Sequence, residues 1–307
     1  MPTTHHHQKE NQQQTKNAGL PARGHRHYER GEQTKNQPEH DEDRDDARPN
    51  GRQAPSCPLI LHNAHMVAYF YMTGFLLIDK PDGPTSHDVV NTVRRATGEK
   101  RVGHAGTLDP FATGLLLVGV GREATREFPK LVGLDKEYEA VFALGATSDT
   151  DDRTGRVVAT ENTQNPTDED IQRAMQTLVG EIEQLPPNYS AIKVGGRKAY
   201  DAARKGETLE LKPRRVTVHS FELLKPITHT PSPTLHVRIH CSTGTYIRAL
   251  ARDLGAKLGT GGYVQELRRT TIGSWKIEEA TVLSALNKES VQGRLVPVET
   301  FLSRLAR

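Results

Sequence analysis

The stretch over residues 103–121 constrains the fold of this chain more than any other. It reads GHAGTLDPFATGLLLVGVG, with one acid, Asp109, between glycine-bounded turns and an apolar run at residues 115–118. Proline fixes its own φ and disfavours a helical conformation in the residue before it, so the Asp-Pro pair predicts a turn. Glycine permits backbone angles and close approaches that larger residues forbid. The pattern therefore predicts a rigid loop that presents a carboxylate and leads into a buried strand, a common way to present a catalytic group.

Composition divides the chain into two parts. Hydrophobic residues make up 35% of the 307 residues, and the shortage is concentrated in residues 1 to about 57, which are crowded with polar and charged side chains. Such a segment cannot bury enough apolar surface to offset the entropy of ordering it. We therefore predict a disordered extension over residues 1–72 that is dispensable for chemistry. The histidines at positions 5–7 are expected to be part of this solvated tail, because no second cluster lies at metal-ligand spacing.

The two cysteines and the apolar segments indicate the compartment. Cys57 and Cys241 form neither a disulfide framework nor a zinc ligand set, which fits a reducing, cytosolic setting. The N-terminus has no apolar signal region, and the apolar stretch at residues 59–72 is short and interrupted by polar residues, so it should not span a membrane. The sequence therefore predicts a cytoplasmic protein with no membrane partner.

The hydrophobic pattern over residues 73–307 alternates between strands and helices. It predicts a buried strand at residues 75–79, a helix capped by Ser86, a helix at 122–131, a strand at 136–144 and an antiparallel pair at 216–223 and 235–241. Most predicted strands are antiparallel, so the fold class is α+β: a mixed, mainly antiparallel sheet with flanking helices. We assign residues 73–280 to one domain and residues 281–307 to a short helical C-terminal segment.

Positive charge recurs in pairs along this folded part. The net charge is +3 and the isoelectric point about 8.8, which alone is a weak indication of a polyanionic partner. The candidate phosphate contacts are Arg94/Arg95, Lys100/Arg101, Arg197/Lys198, Arg204/Lys205, Arg214/Arg215 and Arg268/Arg269. A solvated surface explains any one of these pairs equally well.

Several motifs occur in the order found in one known family. The segments are DKPDGPTS at residues 79–86, GHAGTLDPFATG at 103–114, KEY at 136–138, PPNYSAIKVGGRKAY at 186–200, STGTYIRALARDLG at 242–255 and VQELRR at 264–269. Together they resemble the TruB-type pseudouridine synthases over about residues 73–300. The resemblance implies that the chain converts a uridine of the tRNA T-loop, position 55 in tRNA numbering, to pseudouridine without a cofactor or a metal. It also implies the pseudouridine synthase catalytic fold.

The resemblance assigns Asp109 as the nucleophile, and either the base or the ribose could be the group that it attacks. Asp109 precedes a proline and is otherwise read as a turn-capping residue. Arg248 is its expected partner, since a guanidinium always carries charge and forks onto carboxylates, and we expect it to keep the pKa of Asp109 low. Tyr138 is expected to stack on the base and to transfer a proton, although an ordinary strand tyrosine fits the pattern as well.

Four further residues are candidates for substrate binding. Tyr246 and Leu267 are expected to wall the pocket around a flipped base, and either is equally compatible with the core. His104 is expected to face the RNA, although a lone histidine beside glycine is more often structural. Lys80 is expected to support the active-site loop or a phosphate, with a solvated turn lysine as the alternative.

The expected partner is the T-arm of tRNA. Extruding the uridine costs a few kcal/mol of unstacking, which contacts to the RNA backbone must offset. Too few residues follow Thr281 for the PUA domain that many family members carry, so we expect an enzyme with no obligate protein partner. Two other functions remain open: a tRNA-binding folding factor with little or no catalysis, and a metal-dependent hydrolase that uses the acidic residues 149–152, which are otherwise read as a surface turn.

Overall fold

A ten-stranded mixed sheet organises the part of the chain that the structure describes. The structure is a computed structural model, and it describes residues 72–161, 166–190, 192–203, 206–207, 209–229 and 233–305. The predicted extension over residues 1–72 lies outside these residues apart from Met72. No described helix has both the length and the apolar composition needed to cross a membrane.

The strands and helices follow one another along the whole described region. The strands are β1 (Gly74–Lys80), β2 (Val102–Ala105), β3 (Thr113–Val120), β4 (Lys136–Leu144), β5 (Ala146–Ser148), β6 (Val157–Ala159), β7 (Gly180–Gln184), β8 (Lys193–Val194), β9 (Arg197–Lys198), β10 (Arg214–Leu223), β11 (Thr234–Cys241), β12 (Gly262–Ile272), β13 (Trp275–Lys276) and β14 (Thr281–Val282). The helices are α1 (Ser86–Thr97), α2 (Gly121–Arg126), α3 (Phe128–Val132), α4 (Asp168–Gln176), α5 (Ala199–Ala203), α6 (Ile247–Leu258), α7 (Lys288–Arg294) and α8 (Val298–Ser303).

The sheet confirms the predicted fold class. Its strand order is β14-β1-β3-β12-β4-β11-β10-β7, with β2 paired to β3 and β13 paired to β12. Only the pairs β1/β14 and β12/β3 are parallel in this sheet of the described residues. The antiparallel pair predicted from residues 216–223 and 235–241 forms as β10 and β11. The sheet is therefore mixed and mainly antiparallel, and helices flank it.

Two local predictions need correction. Thr85, not Ser86, caps α1: the Thr85 side chain accepts a hydrogen bond from the Asp88 backbone and completes a capping box. Ser86 is instead buried, and its Oγ bonds to both the amide and the carbonyl of Leu108, each at 2.9 Å. The helix predicted over residues 122–131 is two short helices, α2 and α3, because Pro129 begins a new turn.

Hydrophobic clusters pack helices onto the sheet and bury the side chains of its first strand, β1. α4 and α6 pack on the half formed by β4, β10, β11 and β12, and α1 covers part of β1 and β3. Near the end of the described chain, the Phe301 ring stacks on both Trp275 and Phe75 at centroid distances of 4.1 Å. Val296 exchanges two backbone hydrogen bonds with Phe75. The residues after β14 therefore complete the core over β1, while the predicted boundaries at residues 73 and 281 stay predictions.

Candidate active site

Asp109 lies in the loop between β2 and β3, and Lys80 of β1 supports this loop through hydrogen bonds. The Lys80 ammonium is fully buried and donates to the carbonyls of Pro81, Pro110 and Ala112 at 2.9, 2.9 and 2.6 Å. Burial lowers the pKa of this ammonium to about 8. Because all three acceptors are backbone carbonyls, and those of Pro110 and Ala112 belong to this loop, the geometry favours the loop-supporting role for Lys80 over phosphate binding.

Arg248 contacts Asp109 across the cleft. It lies in the first turn of α6, and its Nε is 2.9 Å from Oδ2 of Asp109. The Arg248 side chain is 5% exposed, whereas that of Asp109 is 37% exposed. The guanidinium also donates to the carbonyls of Thr150 and Tyr189, at 2.8 and 2.9 Å. The pairing expected from the sequence is therefore present, with a fixed arginine and a carboxylate that opens onto the cleft.

The expected effect on the pKa of Asp109 is not found. Burial raises the pKa of this carboxyl above its ordinary value, and the Arg248 guanidinium only partly opposes the rise. The nearby charge of Asp152 raises the pKa further. The prediction of a low pKa was wrong because burial has a larger effect than the attraction of Arg248, and because the prediction left out Asp152.

Asp152 is a site residue that the sequence analysis missed. Its Oδ2 lies 3.5 Å from Nη1 of Arg248, and both side chains are 5% exposed. Its Oδ1 accepts hydrogen bonds from the Thr154 amide, the Thr154 hydroxyl and the Thr150 hydroxyl, at 2.8, 2.6 and 2.8 Å. The acidic segment at residues 149–152 was expected to be a surface turn, but the side chain of Asp152 is buried. The sequence signal was the recurrence of Thr around Asp, which suits local capping of a carboxylate.

One cavity of about 320 Å³ collects most of the predicted residues. It is lined by Gly106, Thr107, Leu108, Asp109, Val132, Lys136, Tyr138, Ser190, Ser242, Thr243, Gly244, Thr245, Tyr246, Ile247, Arg248, Leu267 and Arg269. Five of the seven predicted residues are therefore brought together, and the exceptions are Lys80 and His104. The cavity combines a carboxylate, two guanidinium groups, the Lys136 ammonium and two tyrosines with apolar walls.

Irregularities in β12 aim Leu267 and Arg269 into this cavity. The register against β4 shifts between Val264 and Glu266, and again between Arg269 and Thr271. A bulge inserts an extra residue and reverses the alternation of side chains beyond it. Leu267 and Arg269 consequently share the buried face of Val264, and Arg269 lies opposite Tyr138 of β4.

Tyr138 and Arg269 form the polar floor of the cavity. Tyr138 is buried, and Arg269 is its cross-strand neighbour in the lining of the same cavity. Burial raises the pKa of the Tyr138 hydroxyl, and Arg269 opposes the rise. Arg269 was predicted to be a candidate phosphate contact at the surface, but it is 1% exposed and lies beneath the cavity.

Tyr246 is positioned by its backbone. It precedes α6, and Gln184 of β7 accepts from its amide at 2.8 Å and donates to its carbonyl at 3.1 Å. Gln184 is buried and was not singled out from the sequence. Burial raises the pKa of the Tyr246 hydroxyl, while the nearby charge of Arg214 lowers it, so Arg214 lies close to this wall of the cavity.

His104 lies on β2, paired with Val118 of β3, and does not line the cavity. Its Nδ1 is buried without a hydrogen-bond partner. Burial lowers the pKa of the ring, and the charge of Arg269 lowers it further. The geometry therefore gives His104 a neutral ring behind the loop, and its expected contact with RNA stays a prediction.

The basic pairs differ in their availability to a polyanion. Arg94 donates to the carbonyl of Val102 at 2.9 Å, and Arg268 forks onto both carboxylate oxygens of Asp79 at 3.1 and 2.8 Å. Among the described residues of these pairs, the exposed ones are Arg95, Lys100, Arg101, Arg197, Arg214 and Arg215. The Lys198 side chain, Arg204 and Lys205 lie outside the described residues.

A possible metal-ligand group in the described chain lies apart from the cavity lining. Asp135, His219 and His240 place their ligand atoms within 4.8 Å of one another. His219 Nε2 is 3.1 Å from Asp135 Oδ2, an ion pair that accounts for this contact. Two acids of the segment at residues 149–152 form ion pairs with arginines: Asp152 contacts Arg248, and Asp151 contacts Arg252 at 3.0 Å.

Two family models match consecutive parts of the chain. The model described as "TruB family pseudouridylate synthase (N terminal domain)" matches residues 94–247. The model described as "tRNA pseudouridylate synthase B C-terminal domain" matches residues 248–303. Together they include every residue of the cavity lining.

Curated relatives and solved structures agree with this match. The chain is 50% identical over 216 residues to a tRNA pseudouridine synthase B of Mycobacterium sp. (strain KMS), covering 70% of this chain and 72% of that protein. It is 48% identical over 221 residues to the protein of the same name from Thermobifida fusca, covering 70% and 75%. Among solved structures, a chain of a Cbf5-Nop10-Gar1 complex superposes with a TM-score of 0.59 and 28% identity, covering 76% of this chain. This chain spans 63% of the length of that one.

Proposed function

Because the chain belongs to the TruB family of pseudouridylate synthases and isomerises uridine in tRNA to pseudouridine, we propose that its target is uridine 55 in the T-loop and that Asp109 is the nucleophile. The observation that carries the assignment of Asp109 is its contact with Arg248: a carboxylate open to the cavity lies 2.9 Å from a buried guanidinium. The resemblance in the loop over residues 103–114 supports the choice of uridine 55.

Each wall of the cavity has a part in this reaction. The uridine leaves the T-loop stack and enters the cavity between Tyr246 and Leu267, where apolar contacts replace lost stacking. Asp109 attacks as a carboxylate, and Arg248 holds it in one orientation, which lowers the entropic cost of reaching the transition state. Tyr138 lies under the base and removes the proton from C5 after the base is rejoined through that carbon.

The supporting residues act on the loop and on the RNA. Lys80 holds the carbonyls of Pro110 and Ala112, which follow Asp109 in the loop, and so helps to fix the direction of the Asp109 side chain. His104 approaches the RNA from the adjoining strand, and the exposed arginines near the cleft contact phosphates. We propose that residues 73–280 form the catalytic domain, that residues 281–305 complete its core, and that the enzyme acts on the T-arm of tRNA in the cytoplasm without a protein partner or a metal.

The test is tritium release from tRNA labelled at C5 of uridine, with the purified chain alone. Wild type should release label from tRNA with uridine at position 55, and from a T-arm hairpin, but not when position 55 is cytidine. Asp109→Asn should bind tRNA normally and lose activity by about 10³-fold or more. Asp168→Asn, an exposed acid at the start of α4, is the matched control and should keep the wild-type rate.

The same assay separates the alternatives. Release by Asp109→Asn at the wild-type rate would refute the assignment of Asp109. A tRNA-binding folding factor predicts tRNA refolding with no label release by wild type. Loss of wild-type activity in a chelator would show that a metal is required, whereas the proposed mechanism predicts no effect.

A further inference from the structure

Arg269 is a buried cation without a carboxylate partner in the described part of the chain. It is 1% exposed, and none of the ion pairs among the described residues includes it. Arg248, in the same cavity, contacts two carboxylates. An uncompensated buried charge costs several kcal/mol. A negative charge that forms beside Arg269 during the reaction would offset this cost.

The hydrogen bonds of Arg269 fix its guanidinium against Tyr138. Nε donates to the carbonyl of Leu115 at 2.8 Å, and Nη2 donates to the carbonyl of Gly106 at 3.0 Å. These two contacts tie the side chain to β3 and to the loop that carries Asp109. Arg269 is also the cross-strand neighbour of Tyr138, and both side chains line the same cavity. The charge of Arg269 lowers the pKa of the Tyr138 hydroxyl and so partly opposes the effect of burial.

We propose that Arg269 is a positioning residue for Tyr138, and that its charge stabilises the phenolate that removes the C5 proton. The inference rests on the proposed function. When the base is rejoined to ribose through C5, that carbon still carries its hydrogen. The C5–H bond breaks, its electron pair restores the C5–C6 double bond, and the proton passes to the Tyr138 oxygen, which becomes a neutral phenol. The π electrons of the C6=N1 double bond are displaced onto N1, which takes a proton from water, and the hydroxide that this leaves removes the proton from Tyr138 and regenerates the phenolate.

A phenol is a poor acceptor for this proton, because it would become an oxonium ion. The reaction therefore needs the phenolate, and a buried phenolate needs a nearby cation. The titratable groups that shift the pKa of Tyr138 are Arg269 of β12, Cys241 of β11 and Asp109 of the loop. Two other cations line the cavity: Lys136, on the same face of β4, donates to the carbonyls of Val132 and Leu134, and Arg248 contacts Asp109 and Asp152. The charge of Arg269 lowers the pKa of Lys80 of β1, His104 of β2 and Lys136. Of the groups that shift the pKa of Tyr138, only Arg269 carries positive charge.

The experiment compares wild type with Arg269→Met on tRNA carrying either hydrogen or deuterium at C5 of uridine. Wild type should accelerate as the pH rises and level off once the phenolate is fully formed, and Arg269→Met should level off only at a higher pH. Arg269→Met should bind tRNA normally, turn over about 100-fold or more slowly at neutral pH, and accelerate as the pH rises. It should also show a larger deuterium isotope effect than wild type. Arg238→Met, an arginine on the outer face of the same sheet that contacts Glu139 at 3.0 Å, is the control and should behave as wild type.

A second variant covers the case in which Arg269→Met does not fold. Arg269→Lys keeps a charge at a shorter reach and should be slow at neutral pH. Introducing 3-fluorotyrosine at position 138, whose phenol is more acidic, should restore its rate. A purely structural role predicts equal loss at every pH, no added isotope effect and no rescue, and any such result overturns the proposal. Wild type that forms no pseudouridine would instead refute the proposed function, which is measured first.

Discussion

Asp152 Oδ2 lies 3.5 Å from Arg248 Nη1, so the arginine that contacts the proposed nucleophile is itself anchored by a second, fully buried carboxylate. Arg248 cannot follow Asp109 into solvent without leaving Asp152 unpaired. Two acids of different exposure therefore share one cation, and the more exposed of them is the one that faces the cavity.

Removing the charge of Asp152 should affect both stability and catalysis. Asp152→Asn should lower the free energy of unfolding by about 3 kcal/mol, because breaking a buried ion pair leaves a charge without compensation. It should lower kcat by about 10²-fold, since Arg248 loses an anchor and Asp109 its orientation. Urea denaturation and tritium release measure the two effects. Asp149→Asn, an exposed acid of the same segment, should change stability by less than about 0.5 kcal/mol; equal effects of the two variants would contradict the prediction.

The raised pKa of Asp109 predicts how activity depends on pH. The reaction needs the ionised carboxylate, so the rate should fall on the acidic side with an apparent pKa above 3.8, the ordinary value for this group. The measurement is single-turnover rate against pH, with tRNA saturating. An acidic limb at or below the ordinary value would mean that Arg248 outweighs burial.

The same shift predicts that Asp109 costs stability. A carboxyl whose pKa is higher in the folded state binds more protons there than in the unfolded chain, so stability falls as pH rises through the window between the two pKa values. Above that window the ionised carboxylate carries its full cost. Asp109→Asn should therefore be more stable than wild type in urea denaturation at neutral pH, and the difference should vanish in acid. A less stable Asn variant at neutral pH would be the contrary result.

Gly114 should be intolerant of any side chain. Its φ is +99°, and an added Cβ would overlap the backbone carbonyl oxygen of Arg269. Gly114→Ala should cost about 2–4 kcal/mol of stability through strain and overlap. Gly98, which ends α1 at φ +73° with nothing within 4 Å of an added Cβ, is the matched control, and Gly98→Ala should cost about 1 kcal/mol. Thermal unfolding of both variants tests the difference.

Arg214 should contribute to tRNA binding through charge alone. It is exposed at the start of β10, near Tyr246. Arg214→Gln should weaken tRNA binding at low salt and reduce the slope of log K against log salt concentration by about 1, as expected for one lost phosphate contact. Arg173→Gln, on α4 beside Asp170, should leave the slope unchanged. Equal slopes for Arg214→Gln and wild type would remove Arg214 from the RNA-binding surface.

The parts of the site that follow local rules could be predicted from sequence. The turn at Asp109 and the strand after it depend on nearby residues, and the ordered set of motifs from residues 79–86 to 264–269 indicated the family. The roles of Arg269 and Asp152 could not be predicted in this way. Arg269 faces inward because of register shifts in β12, which depend on pairing with β4. Asp152 is buried because α6 brings Arg248 to it, a contact between residues distant in the chain.

The stacking of Phe301 between Phe75 and Trp275, and the pairing of Phe75 with Val296, bear on how the protein is made. β1 is the first strand of the sheet to leave the ribosome, yet its aromatic partner is translated near the end of the described sequence. Nascent chains that lack residues 296–301 expose Phe75, so chaperones that recognise apolar segments should hold β1 until synthesis passes this point. The catalytic loop rests on Lys80, the last residue of β1, and hence an active cleft is not expected on a translating ribosome before then.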